Sequence, residues 1–166
     1  MIFVTVGTHE QPFNRLIECI DSLKRENIIT EEVVIQSGFS TYFPQNCKWK
    51  KIYPFSAMNK LIEEARIVIT HGGPSSFIMP LRVGKIPVVV PRKKDFGEHV
   101  NDHQLLFAKL VSEQQKNIIV VEDIALLGHV LLNYDSMITE MSSEIKSNNS
   151  EFCIAFERIV NEMFSK

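Results

Sequence analysis

The stretch Ile67-Val68-Ile69-Thr70-His71-Gly72-Gly73-Pro74-Ser75-Ser76 decides the fold class. Its first four residues are β-branched with no charged break, the mark of a strand buried on both faces. Two glycines interrupt the run. Pro74 then stands where a helix begins, since proline lacks only an N–H that the first helical turn leaves unpaired anyway. That helix is predicted to reach Val83. The same strand, glycine turn and helix recur upstream: Ile2 to Val6 ends in Gly7-Thr8, and Leu16, Ile17, Ile20 and Leu23 follow at helical spacing over Pro12 to Glu26. Glu32 to Gln36 reads as a second strand and Lys50 to Tyr53 as a short third. Met58, Leu61, Ile62 and Ala65 mark a helix with Ser56 as its N-cap. Downstream come a strand at Pro87 to Val90, a helix around Asp102 to Val111, a strand at Asn117 to Val121 and a helix at Ile124 to Leu132. Strands alternating with helices predict an α/β domain: a Rossmann-like parallel sheet with helices on both faces.

Composition narrows the function classes. The 166 residues form one domain, 1–166, with 45% hydrophobic and 23% charged residues, as in an ordinary soluble protein. A formal charge of −2 leaves no basic excess for a nucleic-acid backbone. Cys19, Cys47 and Cys153 are too scattered for a disulfide framework or a CxxC zinc site, and read as reduced thiols. No apolar run approaches the ~18 residues of a spanning helix. The start, Met1 to Val6, is too short for a signal-peptide core. The sequence therefore reads as soluble, and any membrane role must come through a partner or an amphipathic surface.

The end of the chain is set apart by Asn148-Asn149-Ser150. Beyond it, over 150–166, Phe152, Phe156, Ile159, Val160 and Met163 fall on one stripe of an amphipathic helix. The stripe fits either packing on its own domain or docking on a second chain.

In open α/β sheets ligands sit at the carboxyl ends of the strands, and four loops converge there. Gly7-Thr8-His9-Glu10 joins the first strand to its helix; it is either a tight turn or a place of close backbone approach to a ligand. His71-Gly72-Gly73-Pro74-Ser75-Ser76 is more specific. Paired glycine amides, two hydroxyls and a helix N-terminus would make a diphosphate cradle. It is neither a Walker loop nor a GxGxxG fingerprint, which speaks against nucleoside-triphosphatase and dinucleotide readings. The third loop carries Glu98, His99, Asn101, Asp102, His103 and Gln104, groups that can hydrogen-bond sugar hydroxyls. His99 and His103 have a metal-compatible spacing but no HExxH frame, and no metal is expected. Tyr53-Pro54-Phe55-Ser56 offers an aromatic that either stacks on a base or joins the core.

Together, Thr70-His-Gly-Gly-Pro-Ser-Ser76, Gly84-Lys-Ile-Pro-Val-Val-Val-Pro-Arg92 and Gly97-Glu-His-Val-Asn-Asp-His-Gln104 resemble the nucleotide-sugar-binding half of family 28 glycosyltransferases. The opening Val4-Thr-Val-Gly-Thr-His-Glu-Gln-Pro-Phe13 is similar to that of small single-domain members in bacterial capsule and exopolysaccharide loci. These in turn resemble the catalytic subunit of the dolichol-linked N-acetylglucosaminyltransferase. The resemblance implies the C-terminal, donor-binding lobe of a GT-B enzyme. A separate membrane-associated subunit would bring the lipid-linked saccharide acceptor and hold this cytoplasmic chain at the inner face of the plasma membrane. By position, Phe55 would flank the uracil, Gly7 and Thr8 would lie by the donor, and His71, Gly72, Gly73, Ser75 and Ser76 would hold the diphosphate. Asn101, His103 and Gln104 would face the sugar. Met79 stands where larger relatives carry a ribose-binding Glu.

The implied reaction is an inverting, metal-independent hexosyl transfer from a UDP-sugar, with galactose slightly favoured over glucose and N-acetylglucosamine. Oriented amides and a helix N-terminus would stabilise the leaving diphosphate. His9 is the best candidate for a base on this chain, although in two-lobed relatives the base usually comes from the acceptor lobe. The alternatives are a non-catalytic nucleotide-sugar-binding or regulatory subunit, for which Met79 is the best argument, and a sugar-nucleotide epimerase-like enzyme, which would need a second lobe in the same chain.

Overall fold

The β-branched runs assemble into a six-stranded parallel sheet in a computed structural model that describes residues 1–141 and 149–164. The strands are β1 (Ile2–Thr5), β2 (Val33–Gln36), β3 (Lys48–Lys50), β4 (Ile67–His71), β5 (Val88–Val90) and β6 (Ile119–Val120), in the order β3-β2-β1-β4-β5-β6. The helices are α1 (Asn14–Arg25), α2 (Phe55–Glu64), α3 (Pro74–Arg82), α4 (His103–Gln115), α5 (Leu127–Leu132), α6 (Tyr134–Met137) and α7 (Asn149–Phe164). This is the Rossmann-like α/β fold that the alternation of elements predicts. Asn148 of the expected break lies outside the described residues, as does the side chain of Phe152.

Strand side chains alternate between two cores, because successive Cβ atoms point to opposite faces. Ile2, Val4 and Val6 enter a large core with Leu16, Ile17 and Ile20 of α1 and Leu127 and Leu131 of α5. Phe3, Val34 and Val68 enter a smaller one with Ile62 of α2. Leu16 and Ile17 are fully buried, so truncating either to alanine should cost about 2–5 kcal/mol. Helix ends follow local chemistry. Asn27 takes the left-handed conformation (φ 57°) and the Ile28 amide donates back to the Leu23 carbonyl at 3.0 Å, which closes α1. Lys85 caps the end of α2 by donating to the carbonyl of Ile62 at 2.7 Å and to those of Glu63 and Ala65.

Several boundaries differ from expectation. β3 lies at Lys48–Lys50, not at 50–53, because its partners are Val34 to Gln36 and the Tyr53 amide instead donates to the Gln36 side chain at 3.0 Å. All three β3 residues are exposed, so no apolar run marked the strand. Ser56 is not the cap of α2: the helix starts at Phe55 behind Pro54, with no side-chain cap. α4 continues to Gln115, and stops only where Lys116 turns left-handed. Ile124 to Leu132 divides into a 3-10 turn (Ile124–Leu126) and α5. Cys19 and Cys47 are half-buried and form no disulfide. Burial pushes the Cys19 thiol up to about 11 and the Cys47 thiol up to about 12.

Candidate functional site

The direction in which the chain winds across the sheet reverses between the parallel neighbours β1 and β4. From β1 the chain winds outward through β2 to β3; from β4 it winds the other way through β5 to β6. The crevice beyond the carboxyl ends of two such neighbours is where open α/β sheets take ligands. Here β1 delivers Gly7, Thr8 and His9 to that crevice and β4 delivers His71 and the glycine loop.

His71 is the hub. A Cβ added to Gly7 would lie 2.5 Å from its Nε2, and one added to Gly73 would lie 2.3 Å from its Cε1. The two glycines therefore make room for one imidazole, and Gly7 in addition holds φ at +77°. The Gly73 amide donates to His71 Nδ1 at 3.0 Å. That bond fixes the neutral tautomer with its proton on Nε2, which donates to Ser76 Oγ at 2.7 Å. Burial, then the Arg92 cation, hold the His71 pKa down at about 4. With its oxygen accepting from His71, the Ser76 hydroxyl keeps its own proton for an acceptor outside. Ser75 and Ser76 sit in the first turn of α3, where helix N–H groups favour an anion.

The glycine amides are engaged differently from the cradle expected. Gly72 donates to Gln104 Oε1 at 3.1 Å, and Gly73 to His71, so both amides are used inside the protein. Gln104 is only 4% exposed, and its oxygen also accepts from the Arg92 amide at 3.3 Å. It ties the glycine loop to the end of β5. A Cβ on Gly72 would meet the Gln104 Cβ at 2.9 Å, so this contact too requires glycine.

Beneath the crevice lies Arg92, fully buried. Its guanidinium donates to the carbonyls of Val6 (2.9 Å), Gln11 (2.7 Å) and Glu98 (3.0 Å) and rests 4.9 Å from the Phe13 ring centroid. One side chain thus fastens the β1 loop to the 93–102 loop. Burial lowers its pKa to about 10, against the pull of Glu98, so it remains a cation at neutral pH. Glu98 is buried in a bidentate pair with Arg15, both bonds 2.9 Å, and accepts from the Lys93 amide at 3.0 Å. The sequence assigns no role to Arg15 or Arg92; the only signal is an arginine two residues beyond a buried strand, after Pro91.

Three further imidazoles bridge the same loops. The His9 and His99 ring centroids are 4.7 Å apart, and those of His99 and His103 4.5 Å. His9 Nδ1 accepts from the Gln11 amide at 3.2 Å, which leaves its proton on Nε2. In this tautomer His9 offers a donor, not a base. Burial, then the neighbouring His103, lower the pKa of His99, whose Nδ1 is buried without a partner. Among the described residues no group of three or more His, Cys, Asp or Glu has a metal-holding arrangement. Asn101 and His103 are exposed and bonded to each other, Asn101 Oδ1 accepting from the His103 amide at 3.2 Å. Thr8 is exposed. Phe55 is 71% exposed, not a core residue, and shares a cavity of about 210 Å³ with Asn59, Met79 and Arg82.

The topology and the switch-point crevice define an open Rossmann-like α/β domain with its polar loops gathered at the carboxyl ends of the central strands. The chain belongs to a specific family of such domains, the glycosyltransferase family 28 C-terminal domain, whose profile matches residues 1–160. It is 32% identical over 122 residues, 68% of its length, to the human (Homo sapiens) UDP-N-acetylglucosamine transferase subunit ALG13. That match covers 10% of the human protein, so the chain spans about a tenth of this relative's length. The crystal structure of the glycosyltransferase SnogD from Streptomyces nogalater aligns with 85% of this chain and 39% of its own at 20% identity and a TM-score of 0.48.

Proposed function

We propose that this chain is the catalytic, donor-binding subunit of a two-component inverting glycosyltransferase. It would transfer a hexose from a UDP-sugar, with galactose the first candidate, to a lipid-linked saccharide in capsular or exopolysaccharide assembly. The observation that carries the reading is the neutral His71, which turns the Ser76 hydroxyl outward as a donor at the N-terminus of α3. The buried Arg92 cation adds a positive field there, which lowers the His71 pKa further, after the larger effect of burial. Such a site favours the charge that builds on a departing diphosphate more than it favours the bound ground state. In this reading the diphosphate meets Ser75, Ser76 and the Nε2–H of His9. The uracil lies against Phe55, and the ribose faces Asn59 or Arg82 beside Met79. Asn101 and His103 face the sugar. A base for the acceptor hydroxyl would come from the partner, since His9 presents a proton at Nε2.

The partner would be a membrane-associated acceptor subunit. The word "subunit" in the human relative's name supports a partner, and so does the exposure of Ile159 and Met163 on the apolar stripe of α7. No helix among the described residues is long and apolar enough to cross a membrane.

The experiment is calorimetry of the chain with UDP and ADP, then co-expression with a membrane-associated acceptor subunit and assay of several UDP-sugars on a lipid-linked acceptor, with and without EDTA. Preference for UDP and EDTA-resistant turnover are expected. Equal affinity for UDP and ADP overturns the uridine reading. Loss of activity in EDTA with rescue by manganese overturns the metal-independent mechanism. UDP binding with no turnover under any pairing would favour the regulatory alternative, for which the Met79-lined cavity speaks.

A further inference from the structure

The outer edge of the sheet combines charge and aromatic surface in a way that the donor site does not use. Between Val33 and Ile62 the sequence holds four lysines, six aromatic residues including the one tryptophan, and no Asp or Glu, in a chain whose formal charge is −2. The fold gathers most of these on one edge. β3 is the terminal strand and carries Lys48, Trp49 and Lys50, followed by Lys51 and Ile52. Phe43 is 59% exposed, Phe39 42%, Ile52 50% and Trp49 37%.

These rings are held in place. Asp21 of α1 accepts from the Tyr42 hydroxyl at 2.8 Å and from the Gln45 and Asn46 amides at 3.1 and 2.7 Å. Asn14 accepts from the Thr41 amide at 2.9 Å. The loop of residues 37–47 is thereby pinned to α1, with Tyr42 turned in against the core and Phe39 and Phe43 facing out. Phe43 packs on Trp49 with ring centroids 5.4 Å apart, and the Lys51 ammonium sits 4.5 Å from the Phe39 centroid. Lysines alone on an edge strand would be explained by keeping other strands away. Exposed aromatics beside them are not, since such rings would invite association.

We propose that this edge binds the surface of an anionic lipid bilayer. Trp49 suits the headgroup region, where one side of its ring is apolar and the other wet, and Phe39 and Phe43 would bury into the boundary between headgroups and acyl chains. Lysines beside them are drawn to anionic headgroups. Lys50 and Lys51 have no acidic partner among the described ion pairs, whereas Lys48 is paired with Glu32. The edge also adjoins the crevice: a Cβ on Gly38 would lie 2.5 Å from the Gly7 carbonyl oxygen, so the 37–47 loop starts against the β1 loop. A chain lying on its β3 edge would hold that crevice next to the bilayer. The inference goes beyond the proposed transferase reading and stands without it.

Trp49 is the only tryptophan, so its fluorescence reports this edge without a label. The full chain is mixed with phosphatidylcholine vesicles with and without phosphatidylglycerol, at low and high salt, and sedimented. A blue shift, quenching by brominated lipid and co-sedimentation are expected with the anionic vesicles only, weakening as salt screens the charges. Lys50→Glu with Lys51→Glu should reduce vesicle affinity at least about tenfold, with the thermal midpoint and UDP affinity unchanged. No sedimentation with anionic vesicles would overturn the proposal. So would sedimentation with silent Trp49 fluorescence, which would place the contact elsewhere, or binding unaffected by the double charge reversal. UDP binding is read on the same samples, so failure at the membrane and failure at the nucleotide site are told apart.

Discussion

A side chain at Gly73 would run into the ring of His71: its Cβ would sit 2.3 Å from Cε1 and 2.9 Å from Nδ1. The ring cannot swing aside freely, because Nδ1 accepts from the Gly73 amide and Nε2 donates to Ser76. Gly73→Val is therefore expected to disturb the Ser76 hydroxyl through His71 and to weaken UDP binding at least tenfold, or about 1.4 kcal/mol. The double variant His71→Ala/Gly73→Val should recover much of the lost thermal stability, since the clash disappears with the ring. Denaturation of the two single variants and the double gives a coupling energy. Additive losses would mean that the glycine serves the backbone, not the imidazole.

The low His71 pKa has a consequence for stability with a definite sign. In the unfolded chain the imidazole titrates at 6.5; in the fold it stays neutral down to about 4. The unfolded state therefore binds more protons between these values. Stability should hold above pH 6.5, fall as pH drops from 6.5 towards 4, and stop responding to this group below that. His71→Asn keeps an oxygen acceptor for the Gly73 amide and cannot titrate. Urea midpoints across pH 4 to 7 should show a shallower acid slope for this variant. An unchanged slope would assign the acid sensitivity to other groups, with His99 the first to examine.

Gln104 shows where the sequence was legible and where it was not. Its loop lies at the carboxyl end of the sheet, as the sequence predicts, because buried runs such as Val88 to Val90 and Ile67 to Thr70 mark parallel strands and the order of their connections. Its orientation could not be read: a polar residue in a polar loop looks the same whether it faces a sugar or, as here, turns inward at 4% exposure to bridge two backbone amides. The Arg15–Glu98 pair was hidden for another reason, since its members lie 83 residues apart and meet only through tertiary structure. β3 was shifted because an exposed edge strand has no apolar pattern. Glycines, prolines and β-branched runs speak for the backbone locally, while partners of buried polar groups are set by the fold.

Gln104→Ala tests the bridging role. It leaves the Gly72 and Arg92 amides without an acceptor in a buried place, which should cost about 1–3 kcal/mol. UDP affinity and turnover should then fall together, because the glycine loop is loosened before any sugar is involved. A variant that lost turnover with full UDP affinity and stability would instead make Gln104 a direct sugar ligand.

Glu98→Ala should be more damaging to the fold. Glu98 is 3% exposed and Arg15 14%, and the pair is bidentate. Removing the carboxylate strands a poorly solvated guanidinium, at a cost of about 3–5 kcal/mol for a buried pair, and frees the Lys93 amide as well. Urea denaturation measures the loss. If the cost were under about 1 kcal/mol, in the range of a surface pair, the pair would contribute little to holding the 93–102 loop.

The terminal helix α7 separates two readings that its apolar stripe left open. Packing on its own domain requires the stripe to be covered, yet Ile159 is 50% exposed and Met163 71%. Docking on a second chain requires the opposite in the free protein. Ile159→Asp places a charge in the middle of the stripe. In the isolated chain, where that side chain is half in water, the thermal midpoint and UDP affinity should change little. In the assembled enzyme the carboxylate would be buried against apolar surface without a partner, and co-purification with the acceptor subunit should be lost. A large drop in thermal midpoint, with UDP binding lost alongside, would show that α7 completes the domain's own core in solution. Melting, nucleotide binding and pull-down on this one variant, with Ile159→Leu as the volume-conserving control, distinguish the two.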